Sequence, residues 1–134
     1  MKSVVLTTGA LLLAQTAMAQ TPTLRPDQQA FRAIYQERVE TDTSITSGSC
    51  TDLAAKIGAR FKAAGFSDSQ ITYFSVPEHP KDGGVVIVYP GTSQAVKPML
   101  LLGHIDVVTA KREDWTRDPY KMIEENGFFY GRGT

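Results

Sequence analysis

His104 and Asp106 are the strong polar intrusion into an apolar run, Met99-Leu100-Leu101-Leu102-Gly103-His104-Ile105-Asp106-Val107-Val108. Residues i and i+2 of a strand share a face. An imidazole and a carboxylate therefore emerge side by side at the end of a strand, where ligands of α/β sheets commonly bind. A carboxylate beside a histidine fixes its tautomer and raises its basicity, as it does around metal ions. The same pair can orient a general base, or it can be a structural hydrogen bond at a strand end. Gly103 before the histidine permits a close backbone approach.

The other reactive side chains read more plainly. His79 sits between Glu78 and Pro80 in a turn and is expected to be solvated. Glu124-Glu125 precedes an Asn-Gly turn signal and reads as a solvated strand end rather than an acid–base pair. Trp115 is expected to pack the charged Lys111–Asp118 loop onto the sheet. Arg132, between Gly131 and Gly133, is expected to turn the chain and aim the segment after it. Gly131-x-Gly133 follows a strand without a third glycine or a helix, so it is no dinucleotide fingerprint. Gly83-Gly84 reads as a turn. Cys50, the single cysteine, has no electropositive sequence neighbours and is expected to be inert. It excludes an internal disulfide and a cysteine-based zinc knuckle.

Periodicity supplies the elements that carry these residues. Gln20 to Pro26 is a proline-bearing linker. Asp27 to Glu40 predicts a helix capped by Asp27, with Phe31, Ile34, Tyr35, Arg38 and Val39 at helical spacing. Thr41 to Ser49 is a Ser/Thr-rich loop. Thr51 to Ala64 predicts a second helix, started by Ser49 with Asp52 and ended by Gly65, with Leu53, Ile57 and Phe61 in one stripe. Both helices are expected to cover a sheet. Ile71 to Val76 predicts a strand, Pro77 to Gly84 a turn region, and Val85 to Tyr89 a strand buried on both faces. Another strand is expected within Pro98 to Val108. Tyr120 to Glu125 and Phe128 to Tyr130 pair about Asn126-Gly127. Two helices followed by strands make the fold class α/β, or an α+β layer.

The chain has 134 residues, 42% hydrophobic and 21% charged, which fits a globular domain and excludes collagen-like, disordered and coiled-coil classes. Lys and Arg together equal Asp and Glu at 14 each, so charge gives no case for a nucleic-acid or anionic-membrane partner. Met1-Lys2-Ser3, the apolar Val4 to Ala14 and the small-x-small Ala17-Met18-Ala19 have the layout of a secretory signal peptide over residues 1–19. The apolar run is shorter than a bilayer span of about 20 residues. Residues 20–134 are then the mature part, expected in the periplasm or outside the cell, with no membrane attachment after cleavage.

The run Leu100 to Val108 resembles the Gly-His-x-Asp-Val-Val segment of M20-type (M20/M25/M40) zinc metallopeptidases and their deacylase relatives. Glu113-Asp114-Trp115-x-x-Asp118-Pro119-Tyr120 and Asn126 to Thr134 match the same family in order and spacing, and the helices from Asp27 to Gly65 fit its opening. The resemblance implies a three-layer catalytic domain (helix, helix, then mixed sheet) of which residues 20–134 are the N-terminal portion. It implies a co-catalytic zinc pair, with cobalt or manganese as substitutes. His104 matches the family's zinc-binding histidine, and Asp106 the carboxylate that orients it and is counted as catalytic. The implied reaction is amide hydrolysis of a small peptide or N-acyl amino acid, as in a carboxypeptidase, dipeptidase or aminoacylase. The signal peptide favours a scavenging exopeptidase over a cytosolic biosynthetic deacylase. A downstream lid-like domain that dimerises is also implied.

In the family's order, the metal-bridging aspartate, the glutamate base and the remaining ligands come after Gly-Arg-Gly-Ser/Thr, past Thr134. A catalytic zinc needs about three protein ligands and an open position. Residues 20–134 alone are therefore expected to be inactive. The competing reading is a secreted, non-catalytic binding protein or a decayed product, whose incomplete sheet would expose apolar edges. A metal-free Ser-His-Asp hydrolase finds no nucleophile-elbow motif here.

Overall fold

The computed structural model describes residues 23–93 and 95–134. The expected signal peptide lies outside the described residues. The chain is α/β, with two helices followed by antiparallel strands.

Helix α1 spans Pro26–Val39. It begins one residue before the expected Asp27 cap, because Pro26 takes the first helical position, where its missing N–H costs nothing. Arg25 occupies the cap position, and its backbone N–H donates to Gln28 Oε1 at 3.0 Å. Asp27 instead receives the Arg25 guanidinium at 2.8 Å, which holds its carboxyl below the usual range. Of the residues at helical spacing, Val39 is buried, Ile34 and Tyr35 are half-buried, and Phe31 is exposed.

Helix α2 spans Cys50–Ala63. Ser49 Oγ accepts the N–H of Asp52 at 3.1 Å, so the expected start signal is a real cap. Gly65 ends the helix at φ +94°, a conformation that glycine adopts without penalty. Leu53 and Ala54 are buried, while Ile57 and Phe61 are half-buried.

Strands β1 (Ile71–Val76) and β2 (His79–Ile87) form an antiparallel hairpin that packs against α2. The turn shrinks to Pro77-Glu78, because the expected turn glycines lie inside β2. Gly84 pairs with Phe74, whose ring occupies the space of a Gly84 Cβ. Gly83 lies equally close to Thr51 Oγ1. These glycines admit neighbours rather than bend the chain. Val85 to Tyr89 is not buried on both faces: Val86 and Val88 are about half exposed, since the hairpin has α2 on one side and no layer on the other among the described residues.

Strands β3 (Ile123–Glu125) and β4 (Phe128–Tyr130) form a second hairpin. Asn126 and Gly127 both take positive φ, 54° and 80°, as a two-residue hairpin turn of this type requires. The first strand starts later than Tyr120, because Asp118 to Tyr120 is a turn in which Asp118 Oδ1 accepts the Tyr120 N–H at 2.9 Å. Helix α1 meets this hairpin through a Tyr35–Phe129 edge-to-face contact and an Arg32–Glu124 ion pair.

The strand expected within Pro98 to Val108 does not form: the apolar run around His104 joins neither hairpin. Leu100, Leu101 and Leu102 are 80–90% exposed. Among the described residues its one ladder contact is a parallel bridge between Val107 and Ser44. Apolar composition favours burial, but a strand forms only where another backbone pairs with it; both hairpins are already self-paired.

Candidate functional site

His104 and Asp106 do emerge on one side. His104 Nδ1 lies 3.2 Å from Asp106 Oδ1. Both side chains are mostly exposed. With Nδ1 turned to the carboxylate, Nε2 is the nitrogen left to meet a ligand. Gly103, expected to admit a close backbone, has open space where a Cβ would stand.

The backbone beneath the pair is held by the Thr41–Cys50 segment. Thr43 Oγ1 donates to the carbonyl of Ile105 at 2.8 Å. Ser44 bridges Val107, and the Thr46 and Thr109 hydroxyls meet at 3.0 Å. Asp42 organises the segment from within. Its carboxylate accepts the Ser44 N–H at 2.8 Å and the Ser47 hydroxyl at 2.6 Å. Partial burial pushes the Asp42 carboxyl up, but hydrogen bonds from Ser47, Ser44 and Tyr120 outweigh it and leave it below the usual range. The Ser/Thr-rich composition marked this stretch as a loop; its long-range contacts with residues 105–109 were not legible.

Cys50 Sγ donates to the Thr43 carbonyl at 3.8 Å. Burial raises its thiol above the usual range, and the charges of Asp106 and Asp82 raise it further. That agrees with the expectation of an unreactive cysteine.

Trp115 is half-buried and carries the Arg132 guanidinium 5.0 Å above its ring. The Arg132 backbone N–H donates to Pro119 O at 2.6 Å. Gly133 stands so close to Val107 that a Cβ would lie 2.7 Å from its Cγ1. The Gly-Arg-Gly turn therefore runs beside the segment that bears the His-x-Asp pair. Glu124 and Glu125 each hold a separate arginine, Arg32 and Arg117, both at 2.6 Å, so they do not form a carboxylate pair. His79 opens β2 and is exposed.

A tetrahedral zinc takes neutral imidazole nitrogen as a ligand, and the His104–Asp106 geometry suits one such ligand with its orienting carboxylate. Among the described residues no group of three His, Cys, Asp or Glu side chains comes together. The described residues thus fit one ligand of a metal centre, not a whole centre.

An α/β chain presenting a histidine–aspartate pair beside a Gly-Arg-Gly turn is the class of structure these observations define. Sequence comparison goes further. Over 60 residues the chain is 43% identical to an acetylornithine deacetylase of Dictyostelium discoideum, covering 42% of this chain and 13% of that protein. Over 43 residues it is 46% identical to the N-fatty-acyl-amino acid synthase/hydrolase PM20D1 of Mus musculus, covering 32% of this chain and 8% of that protein. Over 49 residues it is 39% identical to aminoacylase-1 of Sus scrofa, covering 36% of this chain and 12% of that protein. These relatives are M20-family hydrolases, and the chain is similar to them over those short stretches. The chain spans about one eighth or less of the length of these relatives. No family model and no solved structure matches it.

Proposed function

We propose that residues 20–134 form the N-terminal part of the catalytic domain of an exported, zinc-dependent M20-type amidohydrolase. Its substrate is a small N-acyl amino acid or peptide. The observation that supports this most is the His104 Nδ1–Asp106 Oδ1 contact within a chain homologous to M20 hydrolases. All three relatives carry names that speak of an acyl or aminoacyl group, which favours the acyl amide. The layout of residues 1–19 supports export to the periplasm or beyond.

In this reading His104 contributes Nε2 to one metal, and Asp106 keeps the Nδ1 proton in place so that the ring cannot rotate or change tautomer. Bound zinc supplies a water of lowered pKa and polarises the substrate carbonyl. The remaining ligands and the general base come from other parts of the protein, so residues 20–134 alone do not hydrolyse amides.

The test is hydrolysis of an N-acetyl amino acid and of a dipeptide by the intact native protein, before and after dialysis against a chelator. Activity should vanish with the metal and return with zinc, and purified residues 20–134 should show none. Hydrolysis indifferent to chelation would overturn the zinc reading. Zinc-dependent turnover by residues 20–134 would overturn the division of the site.

A further inference from the structure

Thr43 is 3% exposed and Ser44 is 1% exposed, yet both are polar and neither lies in a helix or a strand. Buried polar groups persist where their bonds are specific. The Thr43 hydroxyl bonds to the carbonyl of Ile105, the residue between His104 and Asp106. Ser44 bridges Val107 immediately beyond the pair. The segment that supplies these contacts is itself fixed. Ser49 N–H donates to Asp42 O at 2.9 Å and Gly48 N–H to Ser44 O at 2.8 Å. A Gly48 Cβ would fall 2.4 Å from Ser44 N and 2.5 Å from Asp42 O, so the turn is packed backbone on backbone. Ser49 then caps α2. A continuous connection thus runs from the α2 N-terminus to the peptide unit that joins Ile105 to Asp106.

The pair's own flank offers no comparable support, since Leu100 to Leu102 are exposed. The Ile105 carbonyl belongs to the peptide unit that joins Ile105 to Asp106. Holding it fixes the backbone that leads into Asp106, and Asp106 in turn meets the imidazole of His104 at 3.2 Å. We propose that Thr43 is a positioning residue for the His104–Asp106 pair, acting through its hydroxyl bond to Ile105. The proposal rests on the hydrolase reading for its purpose but not for its geometry.

The test compares Thr43→Val, which keeps the shape and removes the hydroxyl, with Thr43→Ser, which keeps the hydroxyl. Both are made in the intact protein. Zinc affinity is measured by competition with a chromophoric chelator, and amide hydrogen exchange is followed over residues 103–109 and over α2. Thr43→Val should weaken zinc binding about 10-fold, the scale seen when a group that orients a metal ligand is lost. It should speed exchange in 103–109 and leave α2 unchanged, and Thr43→Ser should restore both. Wild-type affinity and exchange in Thr43→Val would overturn the proposal. So would equal loss of α2 protection, or failure of Thr43→Ser to restore, since each points to packing alone. If wild-type protein binds no zinc, the hydrolase reading fails, and exchange confined to 103–109 still decides the positioning claim either way. If Thr43→Val does not fold, Thr43→Ala takes its place against Thr43→Ser in the same two measurements, and wild-type exchange in 103–109 overturns the proposal.

Discussion

Asp106 Oδ1 lies 3.2 Å from His104 Nδ1, and both side chains reach solvent from one extended segment. A carboxylate in this position holds the Nδ1 proton and leaves Nε2 as the donor to a metal. Asp106→Asn keeps the shape and removes the charge. It should weaken zinc binding by the intact protein about 10- to 100-fold. Chelator competition checks this, and equal affinity would show that the carboxylate has no hold on the imidazole.

The Asp42–Cys50 turn makes a stability prediction with an internal control. A Cβ on Gly48 would meet Asp42 and Ser44 backbone atoms at 2.4–2.5 Å, and backbone cannot step aside as a side-chain tip can. Gly48→Ala should cost about 2–3 kcal/mol, within the range for overpacked sites. Gly91→Ala, with open space around the added methyl, should be near neutral. Urea unfolding midpoints compare the two, and similar midpoints would contradict the packing described.

Asp42 sets a pH dependence. Burial alone would raise its carboxyl, but the hydrogen bonds from Ser47, Ser44 and Tyr120 prevail and lower it. A carboxyl lower in the folded state than in the unfolded chain adds stability above its unfolded value, about 3.9. That stability is lost as pH falls through the folded value. Asp42→Asn should therefore destabilise the protein at pH 7 and approach wild-type stability as pH falls below the folded value. Urea midpoints for both proteins across this range test it; a constant difference would mean that the charge contributes nothing.

Cys50 should react slowly. Burial raises its thiol, and Asp106 and Asp82 add to the effect, so little thiolate is present at neutral pH. A chromogenic disulfide reagent at pH 7 should label it severalfold more slowly than free glutathione. Asp106→Asn should speed the labelling. A rate like that of glutathione would show the thiol to be open.

Much of the scaffold was legible because local chemistry decides it. Ser49 with Asp52 marks the start of α2, Gly65 its end, and Asn126-Gly127 the second hairpin. Gly83-Gly84 misled because glycine signals both turns and close approach, and only the Phe74 ring and Thr51 beside them tell which. The run from Met99 to Val108 reads as a buried strand because apolar composition reports a preference for burial, not the presence of a pairing partner. The His104–Asp106 contact comes directly from their spacing on extended chain. The Thr43 hydroxyl under Ile105 does not, because 62 residues separate them and no periodicity links the two. The cap on α1 went to Arg25 rather than Asp27 because Pro26 claims the first helical turn.

Zinc binding by His104 is the point on which the functional reading turns, and the metal content of the intact protein is its sharpest test. The chain has two histidines, which makes His79→Ala the natural control. Elemental analysis of purified wild type should find zinc, His79→Ala should keep it, and His104→Ala should lose at least one of the two ions that the M20 resemblance implies. Full zinc in His104→Ala, or none in the wild type, would contradict a zinc-binding role for His104.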